Sequence, residues 1–249
     1  MESLSIILPA YNEALRLPRT FELIAEAKKN GVFSSINLVE VWVIDDGSQD
    51  ETSKVAQYAL ALLPELKVRR VTPNEGKGNA IHEGLKQACG DWCLIADADS
   101  ATPWNQFQKL LSAAKTAVPP AAIAIGSRDL PDSDIQTKQS WIRENMGKTF
   151  NLLVRLITGL PFKDTQCGFK LIRRSAIQSF LNQLQVKRFA WDVEFLMFAQ
   201  AHQLKIMEVA VAWAHQDASR VNPIKDSSEM LFRVLQLRFR LLFSRSTSR

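Results

Sequence analysis

Residues 92–99 read WCLIADAD, an apolar run that ends in two aspartates separated by one residue. A short apolar run bounded by polar residues is typical of a buried strand. In an extended segment, side chains two residues apart point the same way, so Asp97 and Asp99 would present both carboxylates to one side. Such a pair suits a hard cation, Mg²⁺ or Mn²⁺, that takes its remaining ligands from water and substrate phosphates. Turns are rich in aspartate without any ligand, and the strand before the pair is what favours a metal site.

On both sides of this segment, short apolar runs alternate with amphipathic stretches through the first half of the chain. The apolar runs predict four more strands, at residues 4–8, 39–44, 67–71 and 121–125. The amphipathic stretches predict helices at residues 19–30, 53–63, 79–88 and 103–117. This alternation predicts an α/β fold, a mostly parallel, Rossmann-like sheet with helices on both faces. Beyond about residue 128 the pattern changes to helices and irregular segments. We expect one domain over residues 1–222 and a basic amphipathic extension over residues 223–249.

Polar clusters follow four of the predicted strands, at residues 11–13, 45–46, 74–78 and 97–99. Ligands of parallel α/β sheets bind beyond the carboxyl ends of the strands, so we expect these clusters to converge on one crevice. The carboxylates of Asp45 and Asp46 suit a ribose hydroxyl or a base N–H. The turn NEGKGN at residues 74–79 offers Lys77 and backbone N–H groups to a pyrophosphate at a helix N-terminus. It lacks the spacing of a Walker loop and the third glycine of a dinucleotide fingerprint.

Six motifs follow one another along the chain: PAYNE at residues 9–13, DDGS at 45–48, GKG at 76–78, DAD at 97–99, GSR at 126–128 and DTQCGFK at 164–170. Together they resemble the inverting glycosyltransferases of family 2 with the GT-A fold. Within that family they are most similar to the branch that includes dolichyl-phosphate β-glucosyltransferases and other polyprenyl-phosphate glycosyltransferases. The resemblance extends over about residues 4–222. It implies a hexosyltransferase that depends on Mg²⁺ or Mn²⁺ and uses a nucleotide-sugar donor.

The resemblance also implies roles for individual residues. Substrate binding is expected of Pro9, Tyr11, Glu13, Asp45, Asp46, Lys77, Asp97, Arg128 and Gln166. Participation in catalysis is expected of Asp99, Asp164, Lys170, Asp192 and Glu194. The metal is expected to bind Asp97 and Asp99, with His215 as a further ligand.

The acceptor decides whether the enzyme requires a general base. A hydroxyl acceptor needs one, and Asp164, Asp192 and Glu194 are the candidates. A lipid phosphate, with a second pKa of about 6, is largely ionised and needs only cationic guides. The candidate guides are Arg128, Arg143, Lys170 and Arg220. The resemblance favours transfer of glucose from UDP-glucose to a polyprenyl or dolichyl phosphate. Transfer to a glycan or protein hydroxyl and a nucleotide-sugar binding module without turnover stay open.

The net charge of +5 is concentrated at the C-terminal end: from Arg220 onward seven Lys/Arg stand against two acidic residues, and the remainder balances. Residues 229–243, and as a second candidate residues 146–160, combine apolar positions with basic ones, a pattern typical of helices at a membrane interface. A core or dimer helix is the alternative. The residues between the basic positions of the tail are mainly aliphatic rather than stacking aromatics, so no nucleic-acid partner is expected.

The expected location is the cytoplasm, with peripheral attachment to the cytoplasmic face of a membrane. No run reaches the ~18 apolar residues of a spanning helix. Residues 1–3 lack a basic n-region, so no signal peptide is expected.

Overall fold

The computed structural model describes residues 1–137, 141–214 and 223–246, without the side chains of residues 141–146, 148, 223–228 and 241–246. The first half contains β1 (Ser3–Ala10), α1 (Leu17–Lys29), β2 (Asn37–Asp45), α2 (Thr52–Tyr58), β3 (Leu66–Arg70), α3 (Lys77–Gln87), β4 (Trp92–Ile95), α4 (Gln106–Thr116) and β5 (Ile123–Ser127). The second half contains β6 (Asp134–Thr137), α5 (Trp141–Thr158), β7 (Lys170–Arg173), α6 (Arg174–Ile177), α7 (Trp191–Ala201), β8 (Ile206–Ala210), β9 (Ala212–Ala214) and α8 (Pro223–Ser246). Short 3₁₀ turns lie at Ala59–Ala61 and Leu181–Gln183.

Seven of the described strands form one sheet in the order β3-β2-β1-β4-β7-β5-β8. The pairs β1–β2, β1–β4, β2–β3 and β5–β8 are parallel, which confirms the predicted mostly parallel sheet. β7 is inserted antiparallel between β4 and β5. Its first residue, Lys170, therefore lies beside Ile95, where β4 ends, and beside Ile125 of β5. This inserted strand brings a lysine to the edge of the sheet where ligands of α/β proteins bind.

The expectation of only helices and irregular segments beyond residue 128 was wrong, because β6, β7, β8 and β9 all lie there. These strands are three to five residues long, and β7 runs directly into α6. A periodicity of two cannot be recognised in so few residues. The predicted helix at residues 53–63 is shorter than expected, since α2 ends at Tyr58 and a 3₁₀ turn follows.

The sheet is buried on both faces. Along β1, Leu4, Ile6 and Leu8 belong to one hydrophobic cluster and Ile7 to another. This alternation follows from the period of two of a strand. Val234 and Leu237 of α8 lie fully or almost fully buried in the second cluster. The C-terminal helix therefore shares the core of the sheet domain, and the domain boundary at residue 222 stays a prediction.

Glu40 of β2 is a buried carboxylate near the end of the sheet opposite the polar clusters. It accepts hydrogen bonds from Ser5 Oγ (2.6 Å), the backbone N–H of Cys89 (2.7 Å) and Lys67 Nζ (2.8 Å). Burial raises its pKa, but the hydrogen bonds from Lys67, Ser5 and Cys89 outweigh burial and bring the pKa down to about 2. Glu40 thus contributes to the stability of this end of the sheet only while it is ionised.

α5 and α8 pack against each other, and each has an apolar outer face. On α8, Phe232, Leu235 and Phe239 are exposed, while Met230, Val234 and Leu237 on the opposite side are buried. On α5, the exposed apolar residues are Leu152, Leu153 and Leu156. Within the three described ranges, no helix has both the length and the apolarity needed to cross a bilayer.

Candidate active site

The polar clusters after β1, β2 and β4 lie together at the carboxyl edge of the sheet. The backbone N–H of Asn12 donates to Ser48 Oγ (2.8 Å), and that of Glu13 donates to Thr52 Oγ1 (2.8 Å), so the loops after β1 and β2 are joined. Lys77 Nζ lies 2.5 Å from Asp97 Oδ1, which joins the start of α3 to the end of β4. The expected convergence on one crevice is present in the structure.

Asp46 organises the loop that precedes α3. One carboxylate oxygen accepts from the backbone N–H of Glu75 (3.1 Å), and the other accepts from the N–H of Gly76 (2.6 Å) and from Asn74 Nδ2 (2.8 Å). Burial raises the pKa of Asp46, and these backbone N–H groups oppose that shift. These contacts give the Asp46 carboxylate a structural role that requires no bound ligand. Its expected role in binding the nucleoside stays a prediction.

Gly76 and Gly78 serve close packing against residues 186–188. A Cβ at Gly78 would lie 2.5 Å from the carbonyl oxygen of Val186, and one at Gly76 would lie 2.8 Å from that of Lys187. Gly76 also has a φ of +110°, which side chains rarely adopt. The N–H of Asn79, in the first turn of α3, donates to the Lys187 carbonyl (2.9 Å). The expectation that this turn offers its backbone N–H groups to a pyrophosphate therefore needs correction: Asp46 and the 186–188 segment already bind some of them.

Asp97 and Asp99 lie at the mouth of the crevice with Lys77 beside them. Burial raises the pKa of Asp97. The neighbouring Lys77 ammonium lowers it by more, so the pKa lies below its ordinary value. Burial and then the charge of Asp97 raise the pKa of Asp99. Asp99 also accepts from the backbone N–H of Ala101 (3.0 Å). The two carboxylates are therefore close enough to repel each other.

This pair fits a hard divalent cation. Two carboxylates that repel each other are the oxygen donors that Mg²⁺ uses when substrate phosphates and water supply the other ligands. In the described part of the chain, no cluster of three His, Cys, Asp or Glu forms a complete protein cage. His215, the expected further ligand, lies outside the described residues, as does Arg220, and the side chain of Arg143 is not described either.

Lys170 and Asp192 form a buried ion pair under the crevice. Lys170 Nζ lies 2.5 Å from Asp192 Oδ1 and donates to the carbonyl of Cys167 (2.5 Å). Neither side chain is more than 5% exposed. Burial raises the pKa of Asp192, and the neighbouring charges of Lys170 and Lys77 oppose it. The structure thus unites these two residues, which were predicted from separate motifs.

Asp164 is fully buried and holds Arg128. Its carboxylate accepts from Arg128 Nε (2.7 Å) and Nη2 (3.0 Å), a two-pronged ion pair, and from the backbone N–H groups of Arg128 and Gln166. The Arg128 charge outweighs burial and lowers the pKa of Asp164. The Arg128 guanidinium lies 5.6 Å from the ring centre of Trp213. Asp164 is therefore an ionised carboxylate that orients an arginine.

Glu194 faces away from the Asp97 cluster. This buried carboxylate accepts from the backbone N–H groups of Gln185 (2.9 Å) and Val186 (2.7 Å), and Arg240 Nη1 of α8 lies 3.5 Å away. Glu194 and Asp192 lie two residues apart on a helix, so they point in different directions.

The remaining predicted residues lie around the same edge. Asp45 is buried and accepts from the backbone N–H of Ser48 (2.8 Å) and from Ser53 Oγ, and Pro9 is buried in β1. Glu13 forms an ion pair with Arg16, and Tyr11 is half-buried. Gln166 Nε2 lies 3.9 Å from Met230 Sδ of α8. Whether these side chains bind substrate stays a prediction.

Two residues of the site were missed. A Cβ at Gly168 would lie 2.0 Å from Asp97 Oδ2, so only glycine leaves that carboxylate in place. Arg16 is close enough for Asp97 and Asp99 to raise its pKa, although its largest single influence is the opposing effect of burial. Gly168 lies inside the DTQCGFK motif, which was the available signal, whereas nothing in the sequence distinguishes Arg16 from a surface arginine.

Comparison with known proteins agrees with this architecture. Residues 5–181 match the family described as glycosyl transferase family 2. The chain is 36% identical over 248 residues to a dolichyl-phosphate beta-glucosyltransferase of Dictyostelium discoideum, covering 96% of this chain and 75% of that protein. It is 32% identical over 248 residues to the protein of that name from Saccharomyces cerevisiae, with 91% and 71% covered.

Solved structures show the same fold at low identity. Mannosyl-3-phosphoglycerate synthase from Rubrobacter xylanophilus superposes with a TM-score of 0.66 at 18% identity, covering 99% of this chain and 75% of that one. Glucosyl-3-phosphoglycerate synthase from Mycobacterium tuberculosis, in complex with Mn²⁺ and UDP-glucose, gives 0.62 at 17% identity, with 94% and 77% covered. The expected GT-A fold and family resemblance are confirmed, and the chain belongs to glycosyl transferase family 2.

Proposed function

We propose that the protein transfers glucose from UDP-glucose to dolichyl phosphate or a related polyprenyl phosphate, with inversion at the anomeric carbon. A phosphate oxygen of the acceptor forms the new bond to that carbon while its bond to UDP breaks, and UDP leaves as an anion. The relatives named dolichyl-phosphate beta-glucosyltransferase support the donor sugar and the acceptor class. The observation that carries the proposal is the state of the three candidate bases.

Each candidate base is already a buried hydrogen-bond acceptor for another group of the protein. Asp164 binds Arg128, Asp192 binds Lys170, and Glu194 binds two backbone N–H groups. A general base must be within hydrogen-bond reach of the proton that it removes. These carboxylates would have to give up strong contacts to accept a proton from a hydroxyl. An acceptor phosphate is ionised before it arrives, so it needs none of them.

The leaving group needs positive charge at the donor end of the crevice. Lys77, held beside Asp97, is suited to contact the diphosphate as charge develops on it. Asp97 and Asp99 would hold the divalent cation. When bound, that cation would neutralise charge on the diphosphate.

The acceptor phosphate needs a cation that is fixed but reachable. The Arg128 side chain is 29% exposed, and Asp164 and Trp213 hold its guanidinium. An arginine held in this way loses little conformational entropy on binding a phosphate and presents its remaining N–H groups as a fork. We assign Arg128 as the guide for the acceptor.

The outer faces of α5 and α8 supply the proposed contact with the membrane. Six large apolar side chains are exposed there, between 39% and 73%: Leu152, Leu153, Leu156, Phe232, Leu235 and Phe239. The exposed Arg233 and Arg238 accompany them on α8 and suit anionic headgroups. The two helices pack against each other, and we propose that their exposed apolar residues together meet a flat membrane surface rather than a small partner. Attachment to the cytoplasmic face of the membrane, rather than to the other face, stays a prediction.

The first test is release of UDP from UDP-glucose with Mg²⁺ or Mn²⁺, with and without a short polyprenyl phosphate in detergent. We expect release that requires both the cation and the lipid phosphate. UDP-galactose and GDP-mannose serve as donor controls, and a polyprenol without phosphate serves as the acceptor control.

Equal turnover with the polyprenol would contradict the proposal, because a hydroxyl needs the base that we find engaged. Binding of UDP-glucose by calorimetry, without release under any of these conditions, would instead support a binding module. The Asp97→Asn variant should abolish release if turnover is real.

A further inference from the structure

We propose that Glu194 is a positioning residue for the donor end of the site, and that Arg240 of α8 completes its hold on residues 183–188. This inference rests on the proposed role of Lys77 in donor binding. It replaces the expectation that Glu194 takes part in proton transfer.

The first link is between Glu194 and the segment that precedes α7. Both carboxylate oxygens of Glu194 lie within 3.0 Å of the backbone nitrogen of Gln185, and one also accepts from Val186 at 2.7 Å. The residue is 1% exposed. A carboxylate bound to two backbone N–H groups fixes their orientation much more tightly than a neutral acceptor would.

The second link joins this segment to the start of α3. The carbonyl of Lys187 accepts the Asn79 N–H at 2.9 Å. The carbonyls of Val186 and Lys187 also occupy the space in which side chains at Gly78 and Gly76 would lie. Lys77 stands between those two glycines, so a shift of the segment moves the backbone that carries Lys77.

The third link is Arg240. Its Nη1 lies 3.5 Å from Glu194 Oε1, its Nη2 donates to the carbonyl of Gln183 at 3.2 Å, and its guanidinium lies 5.8 Å from the ring centre of Phe198. Burial would otherwise disfavour the charge on Glu194, and Arg240 compensates part of that cost. The C-terminal helix thereby supports the donor end of the site. This role is separate from the proposed membrane contact of its apolar outer face.

The direct test is hydrogen exchange of the backbone N–H groups in Glu194→Gln and Arg240→Gln. We expect faster exchange at Gln185 and Val186 and, through the Lys187 carbonyl, at Asn79. Arg238→Gln is the matched control, because Arg238 lies on the same helix and is exposed, and it does not line the cavity that Arg240 shares with residues 185–188. It should leave all three positions unchanged.

The kinetic test separates positioning from general stability. Loss of one charge-assisted hydrogen bond at the donor end should raise the KM for UDP-glucose by about tenfold. The acceptor KM should stay within about twofold, since none of the three links includes Arg128, the assigned guide for the acceptor. The kcat should fall with the rise in donor KM, because Lys77 is proposed to meet charge that develops on the leaving diphosphate. Because the two residues act as one unit, the double variant should resemble Glu194→Gln alone. Arg240→Lys should restore part of the donor KM.

Glu194→Gln buries an amide where a charge was, and the chain of this variant can fail to fold. Arg240→Gln removes a partly exposed side chain and then decides the question. Faster exchange confined to residues 185–186, with Asn79 and the donor KM unchanged, would overturn the inference. Equal losses in the KM of both substrates would overturn it too. If the wild-type protein shows no turnover with any acceptor, the proposed function fails, while the exchange result still decides the coupling to Asn79.

Discussion

The Lys170–Asp192 pair predicts a large and specific effect on stability. Replacing Asp192 by Asn keeps the shape of the side chain but removes the negative charge opposite Lys170. Lys170 is then a buried ammonium whose close acceptors, the Cys167 carbonyl and the amide oxygen introduced at position 192, carry no charge. Breaking one side of a buried ion pair typically costs about 3–5 kcal/mol.

The surroundings place the expected value at the lower end of that range. Asp97 and Asp164 are near enough for the Lys170 charge to lower their pKa values, so they still favour the ammonium in the variant. We therefore expect Asp192→Asn to lower the free energy of unfolding by about 3 kcal/mol. Lys170→Met should cost less, because the raised pKa of Asp192 allows it to become neutral. The cost of Lys170→Met should grow as the pH rises through that raised pKa.

Urea unfolding, followed by tryptophan fluorescence, gives these free energies by linear extrapolation when the slopes of the variants agree. The double variant Lys170→Met/Asp192→Leu should lie within about 1 kcal/mol of the wild type, since no charge is left buried. Glu22→Gln is the matched control: the Arg19–Glu22 pair has a similar distance, 2.9 Å, but both side chains are more than half exposed. That control should cost less than about 0.5 kcal/mol. A cost for Asp192→Asn as small as the control's, or a double variant less stable than both singles, would refute the reasoning.

Three further predictions concern single residues. Gly168→Ala should lower kcat/KM at least about tenfold, because the added Cβ displaces the Asp97 carboxylate. Gly147→Ala should leave kcat/KM unchanged, because a Cβ there would have no atom within 4 Å. Equal kcat/KM values for the two variants would contradict this prediction. The stability that Glu40 contributes should be present above its ordinary pKa of 4.5 and be lost as the pH falls toward about 2. The urea midpoints of the wild type and Glu40→Gln should therefore differ at pH 7 and converge near pH 2. Phe239→Asp should weaken binding to anionic vesicles at least about tenfold in a sedimentation assay, and unchanged binding would remove α8 from the membrane surface.

Much of the sheet could be predicted because its strands are buried on both faces and therefore appear as continuous apolar runs. β1, β2 and β4 were found for this reason. β7 was not, because its sequence KLIR holds only two apolar residues between two charged ones, whereas the equally short β4 is the apolar run WCLI. Its antiparallel position also depends on contacts with β4 and β5, which lie far away in the sequence. Local patterns determine which segments are strands, whereas the order in the sheet depends on tertiary packing.

The positions of the acidic residues were predictable, but their partners were not. An aspartate after a strand looks the same in the sequence whether it faces a substrate or orients a neighbour. Asp164 binds Arg128 across 36 residues, and Glu194 binds the N–H groups of a segment that the motifs do not include. The glycines of the GKG motif also fit two interpretations in the sequence. They suit a bound ligand, and in the structure they make room for the backbone of residues 186–188. Residue type indicates chemistry, and only the folded chain shows which chemistry is already used.

The acceptor proposal also explains why α8 lies where it does. Residues 164–170 form the segment that holds the proposed acceptor guide Arg128, through Asp164. Gln166 of this segment contacts Met230 on the inner side of α8, while Phe232 and Phe239 are exposed on its outer side. The proposed membrane face and that segment are therefore separated by about one helix diameter, roughly 10 Å. A polyprenyl phosphate carries its charge at the surface of the bilayer and its chain inside it, so its phosphate can approach the crevice while the chain stays in the lipid. A soluble hydroxyl acceptor would require neither this short separation nor an apolar outer face on the helix that supports the site.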